Sequence, residues 1–328
     1  MVIRMMRVKT ARELAEITAA ADRLKGVMVE TPVLRLNAAR WDGMFDSDVT
    51  MKMELFQQAG SFKARGAYLG IAGLDANERS VGVVAASGGN HALGVAWAAQ
   101  EAGVAATIFM PDATDPLRVD GCRALGAEVV LTADMPAAFA EMEAQAAAGR
   151  TLLHPFEGDN MVLGSATIGA EFVAQAPDVD TFVIPVGGGG MIAGMSCAIR
   201  QLRPDALIIG VEPFGADSMT RSIETGAPVT LDRIDTIADS LGSPKALPLT
   251  YGVTAANVDR MIHITDDQMC DGMRVMFDNL KIIAEPACAA SLAALKGPLR
   301  EDLKGRKVGI IACGSNISLA RFMALTSG

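Results

Sequence analysis

The most constraining feature of the sequence is a regular alternation of short apolar segments with longer, alanine-rich segments, which begins near residue 81. The short segments are β-prone and predict strands at 81–86, 104–110, 127–132 and 151–154. The longer segments between them predict helices at 90–102, 117–125 and 136–148. Strands that alternate with helices in this way are typical of a parallel sheet covered by helices.

A second series of the same kind follows further along the chain. It predicts strands at 182–186, 207–212 and 308–312, and helices at 168–176, 191–202, 267–279 and 286–294. Single cores stop growing at roughly 250–300 residues, so a chain of 328 residues predicts two lobes with a site between them. The expected fold class is therefore α/β, with two open twisted parallel-sheet domains and helices on both faces.

The charge and hydropathy of the chain argue against two classes of partner. There are 29 basic and 38 acidic residues, which give a net charge of −9, and no basic run stands out. We therefore expect neither nucleic acid nor an anionic membrane surface as a partner. No apolar run reaches the ~18 residues that span a bilayer, and no apolar segment of the secretory type follows the charged start of the chain.

Five cysteines are widely separated along the sequence, at Cys122, Cys197, Cys270, Cys288 and Cys313. They form neither a CxxC pair nor a spacing typical of metal sites. An odd number of scattered cysteines in apolar or glycine-rich surroundings indicates reduced thiols, so we expect a cytoplasmic protein.

Three polar or glycine-rich turns each follow a predicted strand and open a helix. They are Ser87-Gly-Gly-Asn-His91, Gly187-Gly-Gly-Gly190 and Cys313-Gly-Ser-Asn316. Ligands of open α/β sheets bind beyond the carboxyl ends of the strands, and free N–H groups at a helix start favour an anion such as phosphate. None of the turns fits a Walker loop or a dinucleotide-binding GxGxxG motif. A tight loop without a ligand is therefore the alternative interpretation.

A fourth element is the segment Gly60-Ser-Phe-Lys-Ala-Arg-Gly66, which places Lys63 between Phe62 and an apolar-leaning helix start. A lysine in apolar surroundings has a lowered pKa and becomes a nucleophile toward carbonyl groups. The alternative for a lysine beside a turn is a solvated surface charge.

Six motifs occur in order along the chain: Ser61-Phe-Lys-Ala-Arg-Gly66, the turn at 87–91, Gly187 to Met191, Gly210-Val-Glu-Pro213, Glu285-Pro286 and the turn at 313–316. Together they resemble the fold-type II pyridoxal-phosphate (PLP) enzymes, above all the serine/threonine dehydratase and serine racemase branch. The resemblance covers nearly the whole chain. It implies a tryptophan synthase β-like fold and a homodimer. It also implies a large PLP-binding domain formed by residues 1–80 and 157–328, and a small substrate-closing domain formed by residues 81–156.

The resemblance implies a role for each residue of these motifs. Lys63 would hold PLP as a Schiff base and shuttle the Cα proton of the substrate, and Phe62 would pack against the pyridine ring. Asn90 would hydrogen-bond the ring hydroxyl, Cys313 would face the ring nitrogen, and Glu285 would belong to the cofactor site. The phosphate would be held by Gly187, Gly188, Gly189, Gly190 and Met191. The substrate carboxylate would be held by Ser87, Gly88, Asn90 and His91.

Some of these residues have a plainer interpretation. Phe62 could be a core residue, His91 a hydrogen-bonding residue at a helix start, and Ser87 a turn or cap residue. Glu212 resembles one ligand of a divalent-cation site found in relatives, but Ser218 stands where that site has Asp, so no metal is predicted.

Two departures from the family pattern bear on the reaction. Racemases of this family need a second acid–base group, a serine, at the position that is Gly88 here, and glycine has no side chain to exchange a proton. Cys313 stands where serine is usual, and a thiol does not hold a proton on the pyridine nitrogen as a carboxylate would. Both departures favour β-elimination.

The predicted activity is therefore PLP-dependent β-elimination from a β-hydroxy amino acid such as threonine or serine, which gives a 2-oxo acid and ammonia. A serine-type racemase and a β-replacement enzyme are the catalytic alternatives, and a non-catalytic ligand-binding module is a third. Serine, threonine, a hydroxyaspartate and a bulkier β-hydroxy acid all remain open as the substrate.

Overall fold

The computed structural model describes residues 12–36, 41 and 43–327. Two sheets organise this part of the chain, one of six strands and one of four. In the ranges described, no helix is both long and apolar enough to cross a lipid bilayer.

The larger sheet is parallel except at one edge. Its strands are β1 (Val33–Arg35), β2 (Asp48–Lys52), β7 (Thr181–Pro185), β8 (Leu207–Pro213), β9 (Arg260–Ile264) and β10 (Lys307–Ile311). They lie in the order β1-β2-β10-β7-β8-β9, and only the β1–β2 pair is antiparallel among the described strands. The central strands β7 and β8 are buried along almost their whole length, as expected for a sheet covered on both faces.

The smaller sheet is parallel throughout. Its strands are β3 (Val83–Ala86), β4 (Ala106–Pro111), β5 (Glu128–Thr132) and β6 (Thr151–Leu152). They lie in the order β5-β4-β3-β6. Each carboxyl end therefore points to the same edge of the sheet.

The α-helices alternate with these strands along the chain, as the sequence pattern predicts. They are α1 (Leu14–Leu24), α2 (Lys63–Ala72), α3 (Ala76–Val81), α4 (Asn90–Ala102), α5 (Pro116–Ala124), α6 (Met135–Ala147), α7 (Asp159–Gln175), α8 (Gly190–Leu202), α9 (Ser218–Thr225), α10 (Pro248–Asn257), α11 (Asp266–Leu280), α12 (Pro286–Lys296) and α13 (Leu319–Thr326). Short 3-10 segments lie at Glu54–Phe56, Gln58–Gly60 and Asp239–Leu241.

Helices cover both faces of the smaller sheet. Successive residues of a strand point to opposite faces, so each strand contributes side chains to both layers. Val83 and Ala85 belong to the core cluster that contains most of α4, whereas Val84 and Ala86 pack in a second cluster with Met142 of α6. All four residues of β3 are fully buried. The continuous apolar run in this strand therefore reflects burial on two sides rather than one.

A buried cluster of charges fixes the start of α2 against β2 and α7. Arg65 of α2 donates two hydrogen bonds to Glu54, at 2.7 and 2.9 Å, and one to Glu171 of α7 at 3.0 Å. Lys52 of β2 also pairs with Glu171 and donates to the Thr31 carbonyl at 2.6 Å. Buried charges of this kind must be paired, so the cluster holds in place the helix that begins with the candidate lysine.

The predicted α/β fold class is confirmed, and both predicted series of strands form. The pattern does not predict β1, β9, α3, α9, α10 or α13, and α7 begins at Asp159 rather than near residue 168. The four strands of the smaller sheet fall within residues 81–156, while the two domain boundaries themselves stay predictions.

Candidate active site

A cavity of about 880 Å³ opens at the carboxyl ends of strands from both sheets. Its wall includes Ala86 at the end of β3, Pro111 at the end of β4 and Pro185 at the end of β7. Open α/β sheets bind their ligands in this position. Every predicted site residue except Glu285 lines the cavity, namely Phe62, Lys63, Ser87, Gly88, Asn90, His91, Gly187, Gly188, Gly189, Gly190, Met191 and Cys313.

Lys63 is placed by a tight turn that directly precedes α2. Ala59 and Gly60 have positive φ angles of 55° and 69°, a backbone conformation that L side chains adopt only rarely. A Cβ on Gly60 would lie 2.7 Å from the Asn316 side-chain oxygen, so the turn has no room for a side chain there. The glycine therefore lets the chain reverse and begin α2 with Lys63 inside the cavity.

The amine of Lys63 is buried and held by the backbone. It donates a hydrogen bond to the Pro155 carbonyl and lies 5.0 Å from the centroid of the Phe62 ring. Burial lowers the pKa of Lys63 from 10.5 to about 8, even though the negative charge of Glu285 acts in the opposite direction. A larger fraction of this amine is uncharged near neutral pH than in an exposed lysine, as a nucleophile requires.

The four glycines at 187–190 form a cradle that excludes side chains. Gly189 has a φ angle of 87°, which favours glycine. A Cβ on Gly188 would overlap the Phe156 ring, and a Cβ on Gly190 would lie 3.0 Å from the Phe156 carbonyl oxygen. The loop leads into α8, whose first N–H groups have no partner within the helix. Bare backbone at a helix start fits the phosphate of PLP.

Asn90 is the centre of a hydrogen-bond network at the cavity floor. Its amide nitrogen donates to Glu285 and, at 3.3 Å, to the Ser240 hydroxyl, while its amide oxygen accepts from Asn316 at 2.7 Å. Burial raises the pKa of Glu285. These contacts orient the Asn90 amide, and they place Glu285 next to the site although it does not line the cavity.

Arg118 of α5 connects the loops that surround the site. Its guanidinium donates to the carbonyls of Gly88 and Asn316, both at 3.1 Å, and to Asp239 at 3.2 Å. It also lies 3.6 Å from Glu285. Arg118 therefore joins the loop after β3, which belongs to the smaller sheet, to two segments of the other lobe.

Ser87 and Gly88 form a compact turn at the end of β3. The Ser87 hydroxyl accepts a hydrogen bond from the Gly89 N–H at 3.1 Å. Serine side chains commonly make this bond in turns. A Cβ on Gly88 would lie 2.8 Å from the Thr114 hydroxyl oxygen. Position 88 therefore has no space for a serine unless Thr114 moves.

His91 is buried at the start of α4 and is uncharged. Its Nε2 lies 2.8 Å from the Leu153 carbonyl and therefore donates to it, while Nδ1 is buried without a partner among residues 12–36, 41 and 43–327. Burial lowers the pKa of His91 to about 3. With its N–H used on Leu153, the ring presents an acceptor at Nδ1, so its predicted contact with a carboxylate stays a prediction.

Cys313 is a buried thiol that stays protonated. A hydrogen bond with the Cys288 thiol and burial both raise the pKa of Cys313 well above its usual range. Its backbone carbonyl accepts from the Phe62 N–H at 3.1 Å, which brings the two predicted cofactor contacts together. The sequence likewise predicts that an uncharged thiol, that of Cys313, faces the pyridine nitrogen of PLP.

Glu212 lies outside the cavity, in β8, and faces the start of α9. Its oxygens accept from the N–H groups of Met219 and Thr220, both at 2.9 Å, and from the Thr220 hydroxyl at 2.6 Å. Burial raises the pKa of Glu212 to about 7. Within the described ranges, no group of three or more His, Cys, Asp or Glu residues could hold a metal ion.

Comparison with known proteins supplies the family. The model of the pyridoxal-phosphate dependent enzymes matches residues 25–314, which include every candidate residue. The chain belongs to this family. PLP is therefore the cofactor of the protein, as the sequence predicts, and the glycine cradle and buried Lys63 fit it.

Two curated relatives of this PLP-dependent enzyme act on hydroxy amino acids. Phenylserine dehydratase of Ralstonia pickettii is 42% identical over 314 residues, which cover 95% of this chain and 96% of that protein. L-threonine ammonia-lyase of Thermotoga maritima is 39% identical over 274 residues, which cover 83% and 68%. The solved structure of maize serine racemase has a TM-score of 0.90 at 32% identity and covers 96% of each chain. The predicted relationship to the dehydratase and racemase branch is confirmed.

The sequence pattern does not identify four residues that lie next to the PLP site: Arg118, Pro155, Phe156 and Ser240. Arg118 resembles any surface charge on a helix. Ser240 belongs to an irregular stretch at 221–249, which the sequence predicts to border the pocket around residues 238–244 without placing its side chains, and residues 239–244 do line the cavity. Pro155 contributes only its backbone carbonyl oxygen, which every residue has, so the residue type gives no signal. Phe156 lies two residues after the end of the predicted strand at 151–154, and this position after a strand was the one available signal.

Proposed function

We propose that the protein is a PLP-dependent ammonia-lyase that converts a β-hydroxy amino acid to a 2-oxo acid and ammonium. The observation that carries the proposal is the buried Lys63 amine, with its lowered pKa, in the same cavity as the glycine cradle. The similarity to a dehydratase and an ammonia-lyase supports the same reaction class. Bound PLP supplies an electron sink that stabilises negative charge at the substrate Cα.

In this proposal one group of residues would hold PLP, by its ring and its phosphate, and another group would hold the substrate carboxylate. Lys63 would bond to PLP, Phe62 would pack against its ring, Asn90 would bond its hydroxyl, and Cys313 would face its nitrogen with Glu285 nearby. The phosphate would rest on the N–H groups of Gly187, Gly188, Gly189, Gly190 and Met191. The substrate carboxylate would rest on the turn formed by Ser87, Gly88, Asn90 and His91.

Lys63 is the base of the proposed reaction because its amine is the group in the cavity with a pKa of about 8. It would accept the Cα proton, and the β-hydroxyl would take up one proton, which balances the one lost from Cα, as it leaves as water. The released enamine then takes up one water as it hydrolyses. The sum is one 2-oxo acid and one ammonium for each amino acid, with no change of oxidation state that needs a redox partner.

Racemisation is the competing activity, since the fold matches that of maize serine racemase. A racemase needs acid–base groups on both faces of Cα. Gly88 offers none on the face opposite Lys63, and Thr114 closes the space that a side chain at this position would occupy. The geometry therefore supports elimination.

We further propose that the protein works as a homodimer in the cytoplasm. All five cysteines are free thiols, which suits a reducing compartment. Light scattering during size-exclusion chromatography tests the dimer, and a monomer mass for the PLP-loaded protein would contradict it.

An assay of both products tests the proposed reaction. Serine, threonine and 3-phenylserine are supplied separately, and the ammonium and the 2-oxo acid formed from each are measured. We expect equal amounts of the two products from at least one substrate, and none from the Lys63→Ala variant. Chiral chromatography of the remaining substrate provides the contrast. Inversion of the Cα configuration without ammonium would indicate a racemase, and a thiol-trapped β-substituted product would indicate β-replacement.

A further inference from the structure

Three aromatic rings pack in a row at one side of the cavity, and two of them line it. Phe139 of α6 packs against His154, with ring centroids 5.6 Å apart, and His154 packs edge-on against Phe156 at 4.6 Å. Phe139 and Phe156 both line the cavity. We call Phe139, His154 and Phe156 the aromatic wall.

The aromatic wall passes directly beside the amine that would react. Pro155 lies between His154 and Phe156 in the chain, and its carbonyl accepts the hydrogen bond from Lys63. A group attached to the β-carbon of a substrate begins three bonds from the substrate's amino nitrogen, which would take the place of the Lys63 amine. It would therefore meet this wall.

The histidine in the wall does not make it a charged surface. The Nδ1 atom of His154 accepts hydrogen bonds from the N–H groups of Phe156 and Glu157, at 3.3 and 3.0 Å. Burial lowers the pKa of His154 to about 4, so the ring is neutral at physiological pH. The whole wall is therefore apolar or weakly polar.

Helix α6 adds a second apolar side chain to the same surface. Met135 and Phe139 are four residues apart, so they lie on one face of the helix, and both line the cavity. Ala320 and Ala324 of α13 also line the cavity and are also four residues apart. The cavity therefore receives large apolar side chains from α6 and small ones from α13, which suits a bulky apolar substituent.

The positive charges of the cavity are already paired. Arg118 and Arg321 both donate to Asp239, at 3.2 Å each, and Arg118 also contacts Glu285. Lys63 is used by the cofactor. A substituent with its own carboxylate would therefore find no unpaired cation among the described residues that line the cavity, and burying it there would be unfavourable.

We propose that the substrate carries an aryl or similarly large apolar group on its β-carbon, packed against the aromatic wall and selected chiefly by Phe139. The inference rests on the proposed function and narrows its substrate class to β-aryl, β-hydroxy amino acids. A hydrogen or a methyl group on the β-carbon would leave the Phe139 ring facing water. An aryl group removes apolar surface from water on both sides of the contact, and this burial favours binding in proportion to its area.

The ratio of kcat/KM for 3-phenylserine to kcat/KM for threonine measures this selection. In the wild-type enzyme we expect a ratio of about ten or more, since even small apolar differences in a pocket change specificity at least ~10-fold. Phe139→Ala should lower the ratio by about tenfold, because it removes one ring of the contact. Phe214→Ala is the matched control. Its ring is 62% exposed and lies outside the cavity, so the ratio should stay unchanged.

Binding of unreactive amino acids gives a readout that does not depend on catalysis. L-Phenylalanine has the aryl group without the β-hydroxyl, and calorimetry with the PLP-loaded enzyme should show it binding about tenfold more tightly than L-alanine. L-Aspartate should bind no better than L-alanine. Phe139→Ala should abolish the preference for phenylalanine.

Different results would contradict the aryl assignment and the proposed ammonia-lyase function. Preference for threonine, together with equal affinity for phenylalanine and alanine, would overturn the aryl assignment, while ammonium from threonine would keep the proposed function. Tight phenylalanine binding with no ammonium from any β-hydroxy amino acid would keep the assignment and overturn the proposed function. Tighter binding of aspartate than of phenylalanine would also overturn the assignment, in favour of an acidic substrate.

Discussion

Replacing Lys63 by methionine should stabilise the PLP-free protein at neutral pH. The pKa of Lys63 falls from its ordinary value of 10.5 to about 8 in the folded chain, mainly because the amine is buried. One pKa unit corresponds to ~1.4 kcal/mol, so the buried charge destabilises the fold by about 3 kcal/mol at pH 7. Methionine removes that charge but also removes the hydrogen bond to the Pro155 carbonyl, which is worth about 1 kcal/mol.

The dependence on pH separates the two effects. A lysine with a depressed pKa binds fewer protons in the folded chain than in the unfolded chain between pH 8 and 10.5, so wild-type stability rises through this window relative to the variant. The advantage of Lys63→Met should therefore shrink as pH rises and reverse above the window, where the lost hydrogen bond, worth about 1 kcal/mol, leaves the variant less stable than the wild type.

Urea unfolding of PLP-free wild-type and Lys63→Met protein, at several pH values from 7 to 10.5, measures this difference. Lys304→Met, at an exposed lysine, controls for the loss of any positive charge. A difference in the free energy of unfolding that stays constant from pH 8 to 10.5 would refute the depressed pKa. It would also remove the physical reason for choosing Lys63 as the nucleophile.

Three further substitutions test the packing of the site. Gly188→Ala should lower the free energy of unfolding by ~1–3 kcal/mol, since the new Cβ overlaps the Phe156 ring; an unchanged urea midpoint would contradict the cradle geometry. Arg65→Met should cost about 3–5 kcal/mol because it leaves buried carboxylates unpaired, whereas Arg35→Met, in an exposed pair, should have a much smaller effect; similar losses would show that burial does not matter. Arg118→Met should raise KM on the order of tenfold by releasing the loop that would bind the substrate carboxylate; steady-state kinetics with an unchanged KM would rule out this positioning role.

Much of the fold can be read from local patterns because its parallel strands are buried on both faces. The segments predicted at 81–86 and 90–102 correspond to Val83–Ala86 and Asn90–Ala102. Such strands are short and continuously apolar, and the glycines and prolines around them mark where they end. Lys63 and the three turns also come together as predicted, since parallel strands carry their following loops to one edge.

The elements that escape prediction had weak or ambiguous signals. Pro248 stands at the first turn of α10 and Ser318 caps α13, but both helices are short and follow irregular segments. β9 is only five residues long and pairs at the sheet edge. For such elements, tertiary contacts rather than local propensity decide the structure.

The contacts within the site could not be predicted because they join distant parts of the chain. Arg118 contacts Asn316, and Asn90 contacts Glu285, across nearly two hundred residues each. Residue type also does not say where a polar side chain will point. His91 donates its ring N–H to the Leu153 carbonyl, a partner that residue type does not indicate, and its contact with the substrate carboxylate stays a prediction.

Peptide mass mapping after borohydride reduction tests most directly whether Lys63 carries the cofactor. Borohydride fixes a Schiff base between PLP and a lysine as a stable covalent adduct. We expect the adduct on the peptide that contains Lys63, and we expect the adduct and the visible absorbance to be lost together in Lys63→Ala. An adduct on another lysine, or a protein that stays colourless after reconstitution with PLP, would contradict the proposed site.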